Sequence, residues 1–196
     1  MLDKAFDELK EEEFKDLFKD QPVSTSRNAF IRRKKDDTEG TSISLGVDAL
    51  IPEHYIEDDA ERFNFYQRFA SAATKQEIDD IGKELQDRFG ALPEETINLG
   101  NVAYARLLAI KLGFKSIAYE EVTRSLRISL PAEDQSEYYQ QFFPLIIDKF
   151  NAIGESRVRL VNEGKKLRII VRLQSKDITE RWKEIEKILT ELQPTA

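Results

Sequence analysis

Cysteine is absent from this chain and histidine occurs once, and these two scarcities exclude more chemistry than any motif supplies. Without a thiol there is no disulfide framework, no thiolate zinc site and no cysteine nucleophile, and the composition suits a reducing compartment. The lone His54 lies between Pro52 and Tyr55, beside Glu53. A histidine-based triad therefore has one candidate base and no nucleophile motif near it, so His54 reads as a surface or packing residue. Glycine is sparse, and its 8 residues never gather into the Gly-rich turn ending in Lys and Ser or Thr that cradles a nucleotide phosphate. No run approaches the roughly 18 consecutive apolar residues of a membrane span. Met1 to Lys10 alternates charge with isolated apolar residues instead of forming a signal-peptide core. A cytoplasmic protein that engages no membrane is expected.

What is present is charge. There are 37 Asp and Glu against 30 Lys and Arg, a net charge of −7. A chain this acidic repels nucleic acid and anionic lipid unless its cations are segregated on one face, so protein is the expected partner class. The adjacent pairs Asp79-Asp80 and Glu94-Glu95 could be imagined as acid–base dyads. Neighbouring helical residues point in different directions, however, and both pairs read as solvated faces. Arg32-Arg33-Lys34-Lys35 is a candidate DNA contact, although Asp36, Asp37 and Glu39 follow and cancel much of its field.

Periodicity sets out the elements. Leu2, Phe6, Leu9, Phe14 and Leu17 outline a narrow amphipathic helix, and residues 20 to 41 have the composition of a linker. Residues 1–41 are thus expected to be a helical arm and linker, with a folded domain over 42–196. Ile43, Leu45 and Val47 alternate as a half-buried strand. A helix starts at Asp58 or Asp59, with Phe63, Tyr66, Phe69 and Ala70 as its expected buried stripe. Thr74 and Glu77 form a capping-box pattern ahead of Ile78, Ile81, Leu85 and Phe89, and Gly90 ends that helix. Pro93 opens a strongly apolar helix through Ile97, Val102, Leu107 and Ile110, which stops at Gly113.

Beyond Gly113 the period changes. Ile117–Val122 and Leu126–Leu130 read as two strands with a turn near Thr123-Arg124-Ser125. Residues 133 to 152 read as helical, with Pro144 either kinking the helix or opening a second one. Arg157–Val161 and Leu167–Val171 flank a hairpin turn. Trp182, Ile185, Ile188 or Leu189, and Leu192 mark a closing helix. The expected fold is α+β, a helical N-terminal half packed with two ββα-like units of mainly antiparallel strands. Arg157, Arg159, Arg168 and Arg172 can share one strand face, either as salt-bridged sheet exterior or as a site for an acidic surface.

Three stretches are more specific. They are Leu50-Ile51-Pro52-Glu53-His54-Tyr55-Ile56-Glu57-Asp58, then Arg62 through Ala72, then Glu84-Leu85-Gln86-Asp87-Arg88-Phe89-Gly90-Ala91-Leu92-Pro93. Together they resemble the C-terminal domain of the bacterial transcription-repair coupling factors, the Mfd family, with Phe63 and Gln67 as mild departures. Leu2 to Lys10 looks like the tail that joins that family's motor to this domain, so the chain is expected to be a fragment starting at the junction. Asp87 to Pro93 is then a tight corner needing the freedom of Gly90 and the fixed φ of Pro93, with Gly113 closing the next helix. Arg62, Arg68, Glu84, Asp87 and Arg88 either lock two helices together or form a docking face.

The resemblance implies a module without chemistry of its own. Its implied intramolecular partner is the excinuclease B-like region of the parent protein. Docked there, it would act as an autoinhibitory clasp over the surface needed by the excinuclease A subunit in transcription-coupled nucleotide-excision repair. The parent is expected to engage RNA polymerase and DNA as an ATP-dependent translocase, with ATP and magnesium confined to the absent motor and no cofactor in this domain. An auxiliary DNA-contacting module is the alternative.

Overall fold

A computed structural model describes residues 41–132, 135–154, 156–163, 166–175 and 177–193. The arm expected over residues 1–41 lies outside them except for Thr41, as do Arg32, Arg33, Lys34 and Lys35. The architecture is α+β, with five strands and six helices among the described residues. The chain divides into two compact units: Val47–Ala103, and Thr41–Gly46 with Tyr104–Ala196.

The first unit is helical. Helix α1 spans Asp59–Ser71; the side chain of Asp58 accepts the Glu61 N–H at 2.7 Å, and acidic residues occupy the first turn beside the positive end of the helix dipole. Its buried residues are Arg62, Phe65, Tyr66 and Phe69. Of the stripe read from periodicity, Tyr66 and Phe69 are buried, whereas Phe63 is half-buried and Ala70 exposed. Two neighbouring faces of α1 carry aromatics, and contact with the next helix selects the one holding Phe65. Helix α2 spans Lys75–Phe89 and buries Ile78, Ile81 and Leu85. Thr74 Oγ1 accepts the Glu77 N–H at 3.2 Å, while the Glu77 carboxylate reaches back to the N–H of Ala73, one residue earlier than the standard box.

Helix α3 spans Glu94–Lys111 and begins just after Pro93, whose carbonyl accepts the N–H groups of Thr96 and Ile97 at 3.0 Å each. It is buried along Leu99, Val102, Ala103, Ala105, Leu107, Leu108 and Ala109. Ile97 and Ile110, read as core from their spacing, are about half exposed.

The second unit is a five-stranded sheet with helices. Strand β1 (Ser42–Ser44) pairs parallel with β2 (Ser116–Glu120), which forms an antiparallel hairpin with β3 (Ser125–Ser129). Arg124 takes φ +48° in the intervening turn. Helix α4 (Ser136–Gln141) and helix α5 (Phe143–Ile153) follow, with Pro144 in the first turn of α5, so the proline opens a second helix. Strands β4 (Val158–Glu163) and β5 (Lys166–Arg172) are antiparallel, and helix α6 (Ile178–Glu191) closes the chain. The strand order is β1-β2-β3-β5-β4, with β3 and β5 joining the two hairpins into one sheet. Of the alternating stretch from Ile43 to Val47, only Ile43 and Ser44 are strand.

Ile117, Leu126, Ile128, Ile169 and Val171 are inaccessible to solvent on one side of that sheet. Ile146 and Phe150 of α5 and Ile185, Ile188 and Leu189 of α6 complete the core. Fully burying a side chain of this size stabilises by about 1.5–3 kcal/mol. On α6 the expected Ile185, Ile188, Leu189 and Leu192 are buried, while Trp182 is half-buried and Arg181 beside it is buried.

Candidate protein-docking face

Of the five charged residues singled out on α1 and α2, Arg68, Glu84 and Arg88 are brought together, while Arg62 is bound to backbone and to Asp59. Arg62 is buried. Its Nη1 donates to the carbonyls of Ile56 (2.5 Å) and Glu57 (3.0 Å), and its Nη2 pairs with Asp59, so it fastens the loop ahead of α1. Arg68 donates to Glu84 at 2.6 Å, Arg88 contacts the other oxygen of Glu84 at 3.3 Å, and Arg88 also pairs with Glu61. The guanidinium of Arg68 lies 5.1 Å over the Phe65 ring, and that of Arg88 lies 4.8 Å over Phe89. Phe65 and Phe89 meet edge-on at 6.2 Å, so the ionic ladder rests on an aromatic layer that also joins α1 to α2.

The electrostatics follow that geometry. The hydrogen bond from Arg68, then its charge and that of Arg88, outweigh desolvation and hold the Glu84 carboxyl below its ordinary value. Arg68 is raised, chiefly by the hydrogen bond to Glu84. More than a third of each of these two side chains is exposed, so solvent screening limits each pair to about 0.5 kcal/mol. Asp87 differs from the other four: it is exposed one turn beyond Glu84 on the same side of α2, and no pairing engages it.

The corner between α2 and α3 positions this edge. Gly90 has φ +92° and ψ −160°, a conformation only glycine adopts without strain. The Tyr55 hydroxyl lies 2.9 Å from the carbonyls of both Leu85 and Gly90 and so serves the carbonyl end of α2. At the end of α3, Gly113 has φ +68°, and a Cβ there would sit 2.7 Å from the Tyr138 ring.

The other candidate groups do not converge on a site. Asp80 bonds Lys83 at 2.9 Å and Gln76 at 2.8 Å, while Asp79, Glu94 and His54 are exposed at separate places. Among the described residues no cluster of His, Asp or Glu is arranged to hold a metal ion, and no helix is long and apolar enough to cross a membrane. On the sheet, Arg159, Arg168 and Arg172 fall on the face opposite the core strand residues. Arg157 does not join them: its guanidinium pairs with Glu184 of α6.

Glu184 is a centre that no local pattern announced. It accepts from the Gln174 N–H, from the Ser175 N–H at 2.9 Å and from the Ser175 hydroxyl at 2.7 Å. Burial pushes its carboxyl up, but those bonds and Arg157 outweigh it and leave the group below its ordinary value. Arg181 is similar: it stacks 4.1 Å over the Tyr119 ring and meets Glu121 at 3.2 Å, contacts between residues about 60 positions apart that sequence spacing does not reveal.

The family model described as the TRCF domain matches residues 45–141, which contain α1, α2, the Gly90 corner and the first hairpin. The transcription-repair-coupling factor of Bacillus subtilis is 32% identical over 155 residues, covering 76% of this chain and 13% of the relative. That of Escherichia coli is 40% identical over 81 residues, 41% of this chain and 7% of the relative. The chain thus spans a small part of the length of these relatives. A solved structure, the C-terminal domain of a transcription-repair coupling factor, aligns with TM-score 0.61 and 18% identity over 79% of this chain and 94% of that one, a likeness of fold. The chain belongs to the TRCF-domain family and corresponds to the C-terminal domain of transcription-repair coupling factors.

Proposed function

We propose that this domain is a non-catalytic, reversible clasp of its parent protein. In this reading it docks on the excinuclease B-like region and covers the surface that receives the excinuclease A subunit, holding the parent in an autoinhibited state until the motor engages RNA polymerase stalled at DNA damage. The observation that carries the reading is the charge state of the helical unit. Residues 47–103 hold 13 Asp and Glu against 5 Lys and Arg, a net charge of −8. Arg62, Arg68, Lys83 and Arg88 are each already tied to carboxylates, so the charge left to an incoming partner is negative. Glu84, held rigid by two arginines, and Asp87, free beside it, form an acidic edge suited to a basic protein surface. Such a clasp must open, so its coupling free energy is about 1–3 kcal/mol.

The test is Asp87→Lys in the full parent protein. Affinity for the excinuclease A subunit should rise by about tenfold, and the isolated domain carrying the same change should bind the excinuclease B-like region more weakly in trans. Unchanged affinity in both measurements sinks the reading. A second reading, an auxiliary DNA contact, draws on the sheet unit, where Arg159 and Arg172 are exposed on one face. It requires binding of duplex DNA that falls steeply with salt and is lost in Arg159→Glu/Arg172→Glu.

A further inference from the structure

The sheet has two ends, and they are built differently. At one end β1 is only three residues long, too short to template much pairing. At the other, β4 runs six residues in unbroken register with β5, without proline or bulge, two of the devices that usually block an edge, and among the described residues no strand pairs with its outer side. Leu160, in the middle of β4, is 51% exposed, and Arg159 and Asn162 are exposed beside it.

The register fixes which backbone groups face outward. The Arg172 N–H donates to the Arg157 carbonyl at 2.8 Å, and the pairs Arg159–Ile170 and Val161–Arg168 follow in the same phase. The N–H and C=O groups of Arg159 and Val161 therefore point to β5, and those of Val158, Leu160 and Asn162 point to the open edge. We infer that this edge pairs with the β4 strand of a second copy of the chain, antiparallel about a twofold axis at Leu160. That register is the one in which all three outward residues find partners: Val158 opposes Asn162 of the second copy, and Leu160 opposes Leu160. It also sets Arg159 against Val161, so no two like charges meet, whereas a shift that centres the axis on Arg159 sets arginine against arginine. The exposed leucine of each copy is covered by its counterpart, and the two five-stranded sheets become one continuous sheet.

Because the chain has no cysteine, single thiols introduced into it can report this register. Sedimentation velocity should show a monomer becoming a dimer over about two decades of concentration, and Leu160→Lys should abolish the dimer while leaving the Trp182 fluorescence and thermal transition of the fold in place. Leu160→Cys should cross-link to itself under mild oxidation, since facing Cα atoms in such a pair lie about 5.5 Å apart, within disulfide reach. Asn162→Cys alone should not, because the two copies of residue 162 would be about 13 Å apart, yet it should cross-link to Val158→Cys when the two variants are mixed. A wild-type chain that stays monomeric throughout, or cross-linking by Asn162→Cys alone as fast as by Leu160→Cys, overturns the inference.

Discussion

The helical unit and the sheet unit use opposite charge strategies with the same residue types. Residues 47–103 carry a net −8, whereas residues 41–46 and 104–196 together carry 16 Lys and Arg against 13 Asp and Glu, a net +3. In the helical unit the ion pairs lie at the surface, stacked on aromatic rings, and Glu84 shares its carboxylate between two half-exposed arginines. In the sheet unit the key carboxylate, Glu184, is 15% exposed and satisfies backbone donors of a loop as well as Arg157. Exposed pairs orient helices and leave acidic edges available to partners. Enclosed ones secure loops, because losing them leaves part-buried donors without a partner.

The largest expected effects test whether both units rest on apolar cores of equal weight. Leu85→Ala in α2 and Ile169→Ala in β5, both inaccessible to solvent, should each cost about 3 kcal/mol in urea unfolding followed by far-UV circular dichroism. Because the single tryptophan, Trp182, is in the sheet unit, its fluorescence should follow the Ile169 variant directly. Next come the corners. Gly113→Ala meets both a positive φ and the Tyr138 ring and should cost about 2–3 kcal/mol, against about 1–2 for Gly90→Ala, where the space beside the residue is open.

The charge comparison itself is sharpened by Glu184→Ala, expected to cost about 2 kcal/mol, against about 0.5–1 for Glu84→Ala. Both carboxyls are held below their ordinary value of 4.5 in the folded chain. Their stabilisation is therefore present above that pH and lost as pH falls through the folded values. An acid titration of the urea midpoint should decline below about pH 4.5, and Glu184→Gln should flatten more of that decline than Glu84→Gln. The smallest effect on stability belongs to Asp87→Lys, within about 0.5 kcal/mol by thermal melt, because no pairing is lost.

Much of the architecture was legible because its determinants are local. The Thr74–Glu77 cap, the acidic start of α1, the Gly90 and Pro93 corner and the Gly113 stop lie within a few residues of what they control, and the alternation of β3 names its own buried face. Where two faces were almost equally apolar, the reading slipped: Phe65 displaced Phe63 on α1, and Ile97 and Ile110 of α3 proved exposed. On α6 a buried Arg181 stands where an apolar stripe suggested Trp182, since an arginine stacked on Tyr119 leaves no signature in hydrophobic periodicity.

The site divides in the same way. That Arg62, Arg68, Glu84, Asp87 and Arg88 belong to adjoining helices could be read from spacing alone, but which of them are committed could not. The pairing of Arg68 with Glu84 and of Arg88 with Glu61 spans a helix–helix contact. The amino-acid sequence by itself determined the elements, their caps and the absence of thiol, phosphate-loop and histidine-triad chemistry, because these depend on residue type and near neighbours. Only the tertiary structure decided that β1 lies parallel to β2, that Glu184 secures a distant loop and that Asp87 remains free, because these depend on where the packing of apolar faces brings remote charges together.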